Sequence, residues 1–224
     1  MNKNSANILC NENNIFNISA KNFFLLNYYK SNKKLETTVY NELRSQIKKV
    51  LNSGIKLSHF DSHEHIHHSP WIFKIVTELG REFNINKIRF VNEKVLIKTY
   101  FRDIYYKIKS LNYLKHFMIN ICNKKIKNSF ISPDYFFGLL NSGKVKIDEL
   151  FAYLNSVNDD KTIEVCIHPA NQEAKSEDTN KNFEQRDFYK DKNRNMEKNL
   201  LLSEKFGNFL NTNEIQMINF SDIN

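Results

Sequence analysis

Two short β-prone runs, residues 56–60 and 87–91, flank an amphipathic stretch whose apolar residues recur at helical spacing. That alternation constrains the fold more than any other feature, because a strand–helix–strand unit joins parallel neighbours in a sheet or barrel. Ser69 and Pro70 open the helix between them. Serine is a good N-cap, and the fixed φ and missing N–H of proline suit the first helical position. Ile72, Ile75, Val76, Leu79 and Phe83 then form one stripe expected to be buried. Upstream, Val39, Leu43, Ile47, Val50 and Leu51 recur at the same spacing, with Glu42, Arg44, Lys48 and Lys49 opposite, until Asn52-Ser53-Gly54 stops the helix. Downstream, the spacing predicts one or two helices over 98–127, a helix over 147–154, a strand over 162–167, a helix over 195–210 and a last strand over 216–220. The chain therefore reads as α/β, with strands near 57–60, 87–91, 163–167 and 216–220 lying side by side and parallel. Residues 1–34 read as an irregular, poorly ordered lead-in to one α/β domain over 35–224. The polar stretch 171–192 reads as a long surface loop or lid.

Composition narrows the classes. Eighteen Phe and ten Tyr in 224 residues are too much apolar surface for a disordered chain. No apolar run approaches the roughly 18 residues that span a bilayer. Residues 1–17 are Asn-rich and lack an apolar h-region, so no secretory signal is expected. Cys10, Cys122 and Cys166 are far apart and odd in number, which suits a reducing, cytoplasmic setting. No Gly-rich phosphate loop is present. The net charge of +8 comes mainly from Lys rather than Arg, as expected of a solvated basic face. Nucleic-acid binding, which would favour clustered Arg among exposed aromatics, is not expected. The apolar positions of the basic stretch 98–127 (Ile104, Ile108, Leu111, Leu114, Phe117, Met118 and Ile121) are expected in the core, with a partner or membrane surface as the alternative.

Five of the seven histidines fall within ten residues: His59, His63, His65, His67 and His68, with Asp61 among them. They sit where a strand ends and a helix begins, the edge that hosts active sites in parallel α/β folds. Imidazoles and carboxylates at alternate positions of an extended segment point to one side and can converge on a divalent cation. A second apolar strand ends in Glu164-Val165-Cys166-Ile167-His168-Pro169, which puts His168 at the same edge as a candidate acid/base. His63 and at least one of His59, Asp61, His65 and His67 are expected to share a site with His168. Cys166 reads as a small core residue rather than a nucleophile. Arg89 and Glu93, at the end of the 87–91 run, can orient a ligand or pair with each other.

The run Ser58-His59-Phe60-Asp61-Ser62-His63-Glu64-His65-Ile66-His67-His68-Ser69-Pro70 resembles the His-x-Asp-Ser-His-x-His-x-His segment of the YdjC-like carbohydrate deacetylases, the chitooligosaccharide deacetylase group. Glu42-Leu43-Arg44-Ser45-Gln46 resembles the Glu-Leu-x-x-Gln helix before that segment. Arg89 to Glu93 resembles the Arg-x-Pro-x-Glu strand end, with Val91 where proline is usual. Glu164 to Pro169 resembles Glu-x-x-x-His-Pro, and Arg194-x-x-Glu197 with Ile218-Asn219-Phe220-Ser221-Asp222 resembles the closing helix and strand. The resemblance implies a (β/α) barrel-like fold and metal-dependent removal of acetyl groups from N-acetylated amino-sugar oligosaccharides, with Mg2+ or Zn2+ as cofactor. It implies His63 as a metal ligand, with His65 and His67 as neighbouring candidates. It implies His168 near the reaction centre, while Asp61 as the catalytic carboxylate and Arg89 and Glu93 as substrate-binding residues are candidates from their own positions. The family's Ala-Asp-Asp-Phe-Gly strand and Gly-x-His strand have no match here. An incomplete barrel, a truncated chain and reduced activity are therefore expected. The alternatives are a non-catalytic remnant of that fold, or a basic nucleic-acid- or membrane-associated protein. A homo-oligomer is left open.

Overall fold

Asn32 starts the first described helix: its Oδ1 accepts the Leu35 N–H at 3.1 Å. Helix α1, Lys33–Asn52, runs with Glu36 in its first turn and Lys49 in its last, complementing the helix dipole. It ends at Ser53, and Gly54 takes the left-handed φ of +82°. Helix α2, Pro70–Phe83, has Ser69 at its N-cap, as the sequence predicts, though the hydroxyl makes no capping bond. Asn84, in left-handed conformation, ends it. The described residues of this computed structural model are 9, 22–23, 32–96, 112–126, 129–157, 160–171 and 191–223. The lid expected over 171–192, the first half of the stretch 98–127 and most of the lead-in lie outside them.

The chain divides into two compact units. In the first, which contains residues 1–90, 118–132 and 220–224, α1 and α2 share one apolar cluster. Leu35 and Val39 of α1 meet Trp71, Ile72, Phe73, Ile75, Val76 and Leu79 of α2, with Ile88 and Leu9. The stripe expected on α2 is buried except for Phe83, which is partly covered. Beneath it, Phe60 bridges Ile88 and Lys87 bridges Ile131, both parallel. The 56–60 and 87–91 runs thus lie side by side and parallel as expected, but through isolated bridges rather than as strands, and residue 131 adds a third segment that the sequence pattern does not announce.

The second unit contains residues 91–117 and 133–219. Strand β1, Tyr135–Phe137, pairs in parallel with β2, Ile163–Val165, in the register Tyr135↔Ile163, Phe136↔Glu164 and Phe137↔Val165. Helix α4, Ile147–Leu154, connects them, so this is a strand–helix–strand unit whose helix and second strand were expected and whose first strand was not. Its core gathers Phe137, Val145, Leu150, Tyr153, Val157 and Leu200. Gly138 ends β1 at φ +117°, where an added Cβ would lie 2.2 Å from the Cys166 carbonyl oxygen. Only glycine allows that approach.

Three expectations differ. Residues 216–220 form no strand. The helix expected over 195–210 is two, α5 (Lys192–Leu201) and α6 (Glu204–Thr212), because Ser203 caps the second one by accepting the Phe206 N–H. Helix α3, Asn112–Asn123, turns Leu114, Phe117 and Ile121 outward and buries His116, Ile119 and Cys122. Polar anchoring sets that face: His116 Nε2 donates to the Glu93 carbonyl and Asn123 Oδ1 engages His68. The fold is α/β with parallel strands. No helix among the described residues is long and apolar enough to cross a membrane.

Candidate functional site

The histidine segment follows the Phe60 bridge and folds as a short 3-10 stretch, His63–His68. Inside it, Glu64 (φ 57°) and His65 (φ 59°) are both left-handed. Neither is glycine or asparagine, and each such residue costs roughly 1–3 kcal/mol, a strain that proteins store at functional sites. Ser62 holds the kink closed. Its hydroxyl accepts the His67 N–H at 3.1 Å and meets His67 Nδ1 at 2.5 Å, while its carbonyl accepts the His65 N–H.

Each histidine therefore has its own environment. His67 is buried, and its Nε2 donates to the Arg89 carbonyl at 2.9 Å. A carbonyl only accepts, so the proton is on Nε2 and Nδ1 accepts from Ser62. Both ring nitrogens are thus spent inside the fold. His68 is fully buried between His67 and Phe90, with Nδ1 on Asn123 Oδ1 at 2.6 Å. Burial pushes the pKa of His67 well below the ordinary value and that of His68 to about 4, so both rings are neutral at pH 7. His59 stacks on Phe220 with ring centroids 3.6 Å apart, and burial lowers its pKa too. His65 is buried edge-on to His67. His63 and Glu64 face solvent.

Asp61 is tied down. Its Oδ2 pairs with Arg89 Nη1 at 2.5 Å and its Oδ1 accepts the Ser62 N–H at 2.7 Å. Glu93, in the second unit, is buried. Its two oxygens accept the N–H groups of Gly138, Leu139 and Leu140, clamping the turn after β1. Among the described residues, no three His, Cys, Asp or Glu side chains come close enough together to hold an ion. With His67 spent and Asp61 paired, the described donors do not by themselves fit a three-ligand centre.

In the second unit, His168 follows β2 on the far side of Cys166, whose Sγ lies 3.9 Å from His168 Nε2. Its main chain is gripped from α5: the N–H donates to Glu197 Oε2 at 2.7 Å, and the carbonyl accepts from Arg194 Nη1 at 3.2 Å. Glu197 Oε1 also takes the Val145 N–H at 2.9 Å. Both α5 side chains are buried. Sequence reasoning gave no role to Arg194, Glu197, Ser62 or Asn123. Arg194-x-x-Glu197, one helical turn apart, stood out in the sequence only as part of the resemblance, with no role attached.

A family model described as YdjC-like protein matches residues 3–212. A carbohydrate deacetylase of Vibrio parahaemolyticus is 29% identical over 133 residues, which is 59% of this chain and 40% of that protein. Carbohydrate deacetylases of Clostridium beijerinckii (32% over 93 residues, 37% of this chain and 38% of that protein) and Brevibacillus brevis (43% over 44 residues, 20% and 18%) are also similar. The matched stretches thus span less than half the length of these relatives.

Proposed function

The chain belongs to the YdjC-like protein family, and from that premise we propose that it is a carbohydrate deacetylase, hydrolysing N-acetyl groups on amino-sugar oligosaccharides from an incomplete barrel-like frame in the cytoplasm. The observation that carries this reading is the strained histidine segment, in which a serine bracket spends His67 and leaves His63 open to solvent. The names of the similar proteins support the reaction class.

The roles follow from what each side chain is free to do. His63 is the open imidazole and would be the first donor to a divalent cation, Mg2+ or Zn2+, with His65 as its neighbouring candidate. His67 orients the loop. His168, the imidazole beyond the end of β2, gives its proton to the departing amine. Arg89 presents guanidinium N–H groups to sugar hydroxyls beside Asp61. Glu93 shapes the substrate side through the turn that it clamps. Asp61 is the carboxylate for proton abstraction only if it releases Arg89, so turnover is reduced, by roughly 10²–10⁴-fold if that step is lost.

The test is acetate release from N,N′-diacetylchitobiose with Zn2+ or Mg2+, before and after EDTA. Turnover that falls in His63→Ala and His168→Ala supports the reading. The absence of a three-donor group among the described residues favours a second reading, a non-catalytic remnant of the fold. No turnover with any divalent metal selects it.

A further inference from the structure

His168 is an unusual residue to receive two buried charged side chains. Its N–H and its carbonyl, the only two polar atoms of its main chain, are both taken by side chains of α5 three residues apart. Arg194 is 5% exposed and Glu197 0%. Burying a guanidinium and a carboxylate is costly unless both are well bonded, and here each has a bond to the same histidine. Pro169 follows directly and fixes the backbone on the other side. Arg194 also returns its own carbonyl to the Ala170 N–H, so the strand end is held at residues 168 and 170 by one side of the helix. The second oxygen of Glu197 reaches Val145, just before α4, which locks the carboxylate against rotation.

We propose that Glu197, with Arg194, is a positioning residue that fixes the main chain of His168 and thereby aims its imidazole. The inference rests on the reading of His168 as the proton donor of the deacetylation. With φ and ψ fixed from both sides, only two side-chain torsions remain for the ring. A misplacement of about 1 Å at a reacting group costs on the order of 100-fold in rate. Glu197→Gln keeps the shape but exchanges a charged acceptor for a neutral amide with one acceptor oxygen, so the bond to the His168 N–H is either lost or weakened to an uncharged one.

The experiment has two arms. In 15N-histidine-labelled protein, seven histidines give seven amide signals, and His168→Ala identifies the one at 168. In Glu197→Gln the His168 amide moves upfield and its ring resonances shift, while the other six histidines stay in place. His168 signals that stay with the rest overturn the proposal. In the second arm, kcat for acetate release falls roughly 10- to 100-fold in Glu197→Gln with KM within about twofold, and in the His168→Ala background Glu197→Gln causes no further loss. A full additional loss in the double variant overturns the proposal, because Glu197 would then act elsewhere. Wild-type activity that is indifferent to His168→Ala removes the proton-donor reading alone, and the NMR arm still decides the positioning. If Glu197→Gln does not fold, Arg194→Lys, which keeps the charge but shortens the reach to the His168 carbonyl, must move the same His168 signals, and their constancy refutes the idea.

Discussion

His68 is held neutral in the fold, because burial drops its pKa from 6.5 to about 4 even though Asn123 stabilises the ring by a hydrogen bond. The unfolded chain therefore binds more protons than the folded one between pH 6.5 and 4. Stability is intact above 6.5 and falls through that window, by on the order of 3 kcal/mol from this residue. Glu93 works in the opposite sense. Burial raises its pKa from 4.5 to about 7, against the pull of three N–H donors. The folded state then holds the extra proton, and stability falls as pH rises from 4.5 through 7. In urea melts from pH 4 to 8, His68→Gln should shallow the acid limb, and Glu93→Gln should remove the decline toward neutrality. Profiles of the variants that parallel wild type would refute both assignments. The histidine cluster was legible from spacing alone. Which rings are spent was not, because the left-handed turn at Glu64 and His65 uses none of the residues that announce one.

The elements with strong local chemistry were the ones legible in the sequence. Helix α2 begins at Pro70 as read, and α4 spans Ile147–Leu154 to the residue. Strand β1 was not, because three apolar residues between Asp134 and Gly138 are too few to show a period. The break between α5 and α6 turned on one hydroxyl, that of Ser203. Two glycines separate what a backbone needs from what it tolerates. At Gly138, an alanine Cβ would meet the Cys166 carbonyl at 2.2 Å in a backbone region closed to side chains. Gly138→Ala should lose about 3 kcal/mol or more and disrupt the β1–β2 ladder. At Gly207, inside α6, nothing lies within 4 Å of an added Cβ. Gly207→Ala should gain roughly 0.5–1 kcal/mol from helix propensity. Paired denaturation curves check both, and equal effects in the two variants would mean that the close approach at Gly138 is not real.

Among the described residues, one apolar cluster gathers around α1 and α2 and another around α4 and β1. Leu79 and Leu150, each 1% exposed or less, anchor one cluster apiece. Leu79→Ala and Leu150→Ala should each cost about 2–5 kcal/mol, read as a lowered midpoint in thermal or urea melts. A loss below about 1 kcal/mol at either site would show that its cavity collapses or that its cluster is not a core. The α/β class and the parallel pairing were readable from alternation, whereas the division into units was not, because it is set by contacts between residues far apart in sequence. Trp71, buried in the first of these clusters with its ring centroid 5.5 Å from that of Phe23, is the chain's single tryptophan and lies three residues beyond His68. All indole fluorescence of the protein thus originates at the first turn after the histidine segment. An ion, sugar or proton that rearranges that segment writes itself into the colour and intensity of one emission band, and the molecule carries its own optical gauge without a label.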